Sequence, residues 1–378
     1  MNVVVRVVAA ICIPLLVVAC ATIPRLPLGS LDRAHVAGIP NARFWGDEAT
    51  RAPPVRAASS HALTILALSG GGAEGAYGAG FLKGWSATGT RPRFDIVTGT
   101  SVGSLMAPFA FLGPDYDDVL ESFFISGLAE DLLRLDGVNV IFGSGAFKSE
   151  PLKNLIARYA TPELLDAIAA EHRKGRMLLI GTTNLDAQRT TIWNMGAIAA
   201  SDSPERLALF RTVLAASASI PGVFSPTFID VEADGQRYSE MHVDGGVTSN
   251  VLAVPEGILV AKGLRAPSGS RVYIVVNGKL APDAAVTSNS TIPIVARSFW
   301  TTVKANTRNT LIATYEFCRR NGWGFFVTAI DAGRAIETQS FNFDTAYMQD
   351  LYAYGLAKGR SGHGFQTTLD GMRARTAR

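Results

Sequence analysis

Gly99-Thr100-Ser101-Val102-Gly103 joins a short apolar run, Phe94 to Thr98, to a stretch that reads as helix, Ser104 to Leu112. Strand, Gly-x-Ser-x-Gly turn and helix in that order describe a nucleophile elbow. Gly99 and Gly103 flank a turn too tight for neighbouring side chains, and it lifts the Ser101 hydroxyl to a helix N-terminus. Backbone N–H groups there favour developing negative charge. The chemistry such a serine serves is covalent attack on a carbonyl carbon. The same five residues also describe an ordinary βα turn with a capping serine, so what surrounds them decides.

A second glycine cluster lies upstream. Leu63 to Leu68 reads as a buried strand and runs directly into Ser69-Gly70-Gly71-Gly72-Ala73-Glu74-Gly75, followed by a helix rich in small residues, Ala76 to Trp85. Successive glycines let backbone N–H groups converge on one point and form an anion nest. Gly70, Gly72 and Gly75 fit a dinucleotide fingerprint, with Asp95 twenty residues on. Gly70, Gly71 and Gly72 equally fit an oxyanion hole for acyl transfer. The position of Asp95 favours the second. A ribose-binding acid belongs at the far end of its strand, beside the glycine loop, whereas Asp95 opens its strand and Ser101 ends it.

An acid arrives by a third route. Ala215 to Pro226 is a close-packed turn of small residues and prolines, and a β-hairpin is expected from Phe228 to Met241. The hairpin delivers His242-Val243-Asp244-Gly245-Gly246-Val247, in which Gly245 and Gly246 leave the Asp244 carboxylate unshielded at a strand end. In isolation that is an ordinary Asp-Gly turn.

The elements that must position these residues alternate strand and helix. Helices are expected within Asp115 to Leu135, from Ser149, from Thr161 to Lys174 and from Ser203 to about Ala216, and strands at Met177 to Thr183 and Thr190 to Trp193. The pattern fits one large α/β domain over residues 62–360, preceded by a proline-containing tether at 20–61 and followed by a flexible tail at 361–378. Residues 1–19 read as a signal peptide, with Arg6 as its one charge and an apolar run from Val7 to Ala19 too short to span a bilayer. Val17-Val18-Ala19-Cys20 looks like a bacterial lipobox, which would make Cys20 a lipidated mature N-terminus. Ala21 in place of Asp favours sorting to the outer membrane of the cell envelope. Loss of the leader leaves Cys20 and Cys318 as the only cysteines, so no internal disulfide is available and no Cys/His cluster suggests zinc. The net charge of +3 includes Arg6, and the near-neutral remainder carries no nucleic-acid footprint.

Taken together, Gly70-Gly71-Gly72 with Gly75, Gly99 to Gly103, and Asp244-Gly245-Gly246 resemble the patatin-like phospholipase family in kind and order. The resemblance covers roughly residues 62–280, including Pro221, Phe224, Asn250 and Pro255, with a fainter echo from Phe343 to Gly359. It implies a three-layer α/β/α fold with a mostly parallel central sheet. It also implies a lipid or acyl-ester substrate and a Ser101–Asp244 dyad that works without histidine, metal or cofactor. One departure stands out: the family usually has Lys or Arg within the glycine loop, where this chain has Glu74.

A conventional hydrolase triad would instead need an acid and then a histidine after Ser101. Only His363 has that order, with Asp331 or Asp344 as acid. His172 reads as a solvated helix end, and His242 shares a strand face with Asp244. A lipid-binding lipoprotein without catalysis is the remaining alternative.

Overall fold

The computed structural model describes residues 23–48, 62–133, 146–260, 267–336 and 343–369. The expected leader 1–19, Cys20 and residues 370–378 lie outside them. Among the described residues, nine strands form one sheet: β1 (Arg43–Trp45), β2 (Thr64–Leu68), β3 (Ile96–Thr100), β4 (Met177–Asn184), β5 (Arg189–Asn194), β6 (Thr227–Ala233), β7 (Gln236–Asp244), β8 (Arg271–Lys279) and β9 (Gly324–Ile330). The helices before the hairpin are α1 (Gly75–Ala87), α2 (Val102–Leu112), α3 (Asp117–Ile125), α4 (Glu150–Tyr159), α5 (Pro162–Arg173), α6 (Met195–Ala200) and α7 (Arg206–Ser217). Those after it are α8 (Glu256–Val260), α9 (Thr291–Asn321) and α10 (Thr345–Arg360).

The main path of the sheet runs β1-β5-β4-β3-β2-β8-β9. Its centre, β4-β3-β2-β8-β9, is parallel, while β1, β5 and the β6–β7 hairpin add an antiparallel wing. Parallel strands must be covered on both faces, and the side chains show it. Leu66, Leu68, Val97, Tyr273 and Val275 enter one core with α1, α2, α3 and α7. Ile65, Ala67, Ile96, Val272 and Ile274 enter the other, with Leu311 and Cys318 of α9. Alternate residues of one strand thus serve opposite layers, giving the expected α/β/α sandwich.

Helices α1 and α10 cross with their backbones touching. Gly80 and Gly84 on one face Gly355 and Gly359 on the other, and a Cβ on Gly355 would overlap the Tyr77 carbonyl oxygen. This crossing anchors the helix that begins at the glycine loop.

Two terminal stretches differ from expectation. Residues 23–48, read as a tether from which only the aromatic pair Phe44-Trp45 packs back on the domain, lie as a whole against the antiparallel wing. Phe44 and Trp45 are buried in β1, Arg25 pairs with Asp186, Arg33 with Asp234, and Arg43 with Glu240. Residues 361–369, read as the start of a tail, turn back on the domain. Phe365 packs edge-on against Trp85, Phe81 and Tyr273, and Gln366 bridges Val327. Long-range ion pairs and two large side chains hold the first, and one aromatic ring and a backbone bridge hold the second. Neither leaves a periodic pattern.

Candidate active site

Strand β4 brings the elbow and the hairpin together. One of its edges is taken by β5 over Leu179–Asn184. Along the other, β3 runs parallel up to the pair Thr100–Gly181, and β7 arrives antiparallel to end at the pair Asp244–Thr182. Two strand ends therefore meet over consecutive residues of one edge. Ser101 and Asp244 sit at that junction.

Ser101 holds φ 54° and ψ −128°, a conformation that costs a non-glycine residue on the order of 1–3 kcal/mol. Specific bonds maintain it. The Ser101 N–H donates to Ser217 Oγ at 3.0 Å, and the Ser217 hydroxyl donates to the Gly181 carbonyl at 2.7 Å. The Ser104 hydroxyl donates to the Ser101 carbonyl at 2.6 Å. Ser217 belongs to the small-residue segment singled out in the sequence, and this contact explains why the segment packs so closely.

Asp244 is buried, and its Oδ1 accepts the Gly246 N–H at 2.7 Å. Its Oδ2 is also buried and has no partner of full hydrogen-bond geometry. Desolvation pushes the carboxyl up to about 7, opposed by hydrogen bonding from the Ser101 hydroxyl and the Gly246 N–H. A carboxyl in that range can exchange a proton with a neighbouring hydroxyl near neutral pH.

The glycine loop passes beside Ser101: a Cβ on Gly70 would stand 2.9 Å from the Ser101 Cβ. Gly70 donates its N–H to the Asn250 carbonyl at 3.2 Å, so it is a structural donor and not the third member of an open nest. Among the described residues, no acceptor takes the N–H of Gly71 or Gly72. Asn277 of β8 fixes the loop from below, donating its N–H to Ser69 Oγ at 2.8 Å and its Nδ2 to the Ser69 carbonyl at 2.7 Å. Gly71 crosses directly over Asn277, where a side chain would overlap the Asn277 carbonyl. Gly75, Gly99, Gly103 and Gly245 each have other atoms closer than 3.0 Å to where a Cβ would stand.

Glu74 is buried and borders a cleft of about 260 Å³ together with Gly70 and Gly71. Asp95 lies at the opposite end of β3, where its Oδ2 accepts the Thr64 N–H at 2.8 Å. The residues of the triad alternative are not assembled. His363 is exposed, Asp331 is held by Lys358 and Tyr354, and Asp344 caps α10 through the Tyr347 N–H at 2.8 Å.

A buried polar chain that sequence reading missed runs behind Asp244. Arg43 pairs with Glu240, with Nη2 to Oε1 at 3.0 Å, and Glu240 Oε2 meets His242 Nε2 at 3.1 Å. His242 Nδ1 meets Thr182 Oγ1 at 3.0 Å, and Trp193 Nε1 donates to the same oxygen at 2.8 Å. Since Trp193 only donates, the Thr182 hydroxyl is free to give its proton to His242 Nδ1, which leaves Nε2–H for Glu240. Desolvation lowers the His242 imidazole and keeps it neutral, against the pull of Glu240. The chain ties the N-terminal stretch to the strand that carries Asp244.

An elbow serine, a buried carboxyl and a glycine nest on an α/β/α sandwich are the equipment of an acyl hydrolase. The patatin-like phospholipase family model matches residues 66–255 of the 378, half of the chain, and the chain belongs to that family. It is accordingly a lipid acyl hydrolase. The crystal structure of VipD from Legionella pneumophila is similar over 81% of this chain and 68% of that one, at 12% identity and a TM-score of 0.32. Comparison with curated proteins found no match.

Proposed function

We propose that the chain cleaves carboxylic esters of lipids with Ser101 as nucleophile and Asp244 as its general base. The observation that carries this reading is a carboxyl buried beside an elbow serine and poised near neutrality. As carboxylate, Asp244 takes the hydroxyl proton while Ser101 Oγ attacks the ester carbonyl. The N–H groups of Gly71 and Gly72 hold the oxyanion; one such donor is worth about 3 kcal/mol of transition-state stabilisation. Asp244 then gives the proton to the leaving alcohol, and water releases the acyl group by the same cycle. No step calls on a histidine.

Ser101→Ala and Asp244→Asn should each abolish hydrolysis of a short-chain ester, with the double variant little worse than either, as for residues acting as one unit. Full activity in Asp244→Asn would overturn the assignment. We also propose that Cys20 carries a lipid anchor in the cell envelope, at the outer membrane. Its support is the lipobox-like Val17-Val18-Ala19-Cys20 after an apolar run. Several acyl chains there, at roughly 0.8 kcal/mol per buried methylene, would hold the protein stably. Cys20→Ser should release it to the soluble fraction, and unchanged membrane fractionation would count against the anchor.

A further inference from the structure

The cleft beside the glycine loop is lined by charges of both signs. Glu74 borders it with Gly70 and Gly71, and Lys279, Arg297, Lys304 and Asp283 line it too. The three cations come from two elements. Lys279 ends β8, and Arg297 and Lys304 lie seven residues apart on α9, which puts them on one helix face.

Asp283 is shared by all three. Its Oδ1 meets Lys279 Nζ at 3.0 Å, its Oδ2 meets Lys304 Nζ at 2.6 Å, and its backbone carbonyl accepts from Arg297 Nη2. Burial works to raise the Asp283 carboxyl, but hydrogen bonds from Lys304 and Lys279 hold it below its ordinary value. One carboxylate thus serves two ammonium groups, and Arg297 beside them has no carboxylate partner among the described residues. The Lys279 side chain is only 8% exposed. A nearly buried ammonium that shares its counter-ion is a costly arrangement. An incoming anion would offset that cost. A guanidinium with donors to spare beside two ammonium groups matches phosphate oxygens well. The apolar sides of Val276, Val303 and Trp300 lower the dielectric around them.

We propose that this cation cluster binds a phosphate of the lipid substrate and, being itself cationic, disfavours a second cation such as the choline ammonium, so that the enzyme selects lipids of net negative head group over zwitterionic or neutral ones. The proposal rests on the Ser101–Asp244 reading only for the position of the ester. Arg297 and Lys304 are then specificity residues. Asp283 competes with the ligand for the same two lysines.

The test uses the full chain carrying Ser101→Ala, so that binding is read without turnover. Dihexanoyl phosphatidylglycerol and dihexanoyl phosphatidylcholine, both below their micelle concentrations, are compared by titration calorimetry, with inorganic phosphate as a third probe. Phosphatidylglycerol should bind at least about tenfold tighter than phosphatidylcholine, a difference of about 1.4 kcal/mol. Added Arg297→Gln or Lys304→Gln should remove that difference. Asp283→Asn should tighten phosphatidylglycerol binding, the reverse of what a purely structural carboxylate predicts, with a melting curve checking that the fold is kept. Equal affinity for the two lipids, or a difference that survives both Arg297→Gln and Lys304→Gln, would overturn the proposal. So would inorganic phosphate binding as tightly as the lipid, which would mark a free-anion site. Wild-type protein that binds phosphatidylglycerol selectively but hydrolyses neither lipid would support the anion site and count against the dyad.

Discussion

Replacing Asp244 by Asn should stop hydrolysis and, at pH 8, make the protein more stable. Burial raises the carboxyl from 3.8 to about 7, which is about 4 kcal/mol of extra proton affinity in the folded state, each tenfold being about 1.4 kcal/mol. Between those two values the folded chain holds a proton that the unfolded chain has lost, so stability falls as pH rises through that window. Above about pH 7 both states are ionised and the penalty is complete; below about pH 4 both are protonated and it vanishes. Asparagine keeps an oxygen for the Gly246 N–H and removes the charge. The gain should therefore approach 4 kcal/mol at pH 8 as an upper bound, shrink through pH 6 and be absent near pH 4. Urea unfolding of both proteins at the three pH values measures it. A variant no more stable than wild type at pH 8, or stabilised equally at every pH, would refute the claim that Asp244 is a buried, desolvated carboxylate.

The same carboxyl sets a rate profile: kcat/KM for a neutral short-chain ester should rise with pH to a half-maximum near 7, and a half-maximum near 4 would contradict a base of raised proton affinity. Arg43→Met leaves Glu240 buried without its cation, and should cost about 3–5 kcal/mol in urea unfolding, partly restored by adding Glu240→Gln. Gly355→Ala drives a Cβ into the Tyr77 carbonyl at the α1–α10 crossing, and should lower stability by about 3 kcal/mol, read by the same unfolding assay.

What could be read beforehand is what depends on neighbours in sequence. The elbow at Ser101, the nest at Gly70 to Gly72 and the acid at Asp244 each rest on a local turn whose backbone demands glycine or small residues, so each left a mark in a few consecutive positions. The β2, β3 and β4 runs were equally visible as apolar stretches. The use of each nest glycine was not. Gly70 N–H goes to Asn250, a partner fixed by the tertiary fold and not by the loop. Glu74 could be identified as a departure, but only the structure buries it against the cleft rather than in solvent. The docked stretch 23–48 has prolines and a three-residue strand, too short to show a period. Its ties, from Arg25, Arg33 and Arg43 to the β6–β7 hairpin and β4–β5 turn, join residues 161 to 201 positions apart in the chain. The polar chain from Arg43 to Trp193 was hidden for the same reason. The charge cluster of the cleft was unreadable because a strand end, a loop and two turns of a long helix contribute one residue each. Gly80-x-x-x-Gly84 and Gly355-x-x-x-Gly359 are a signal that was present: two small-residue pairs at helical spacing, each able to let another backbone approach.

The central claim is that Ser101 is the nucleophile that Asp244 activates. Labelling the full chain with a fluorophosphonate, followed by peptide mapping, tests it most directly. The account predicts a single adduct on Ser101, absent in Ser101→Ala and formed far more slowly in Asp244→Asn. An adduct on a different serine, or labelling of Ser101 at the wild-type rate in Asp244→Asn, would contradict it.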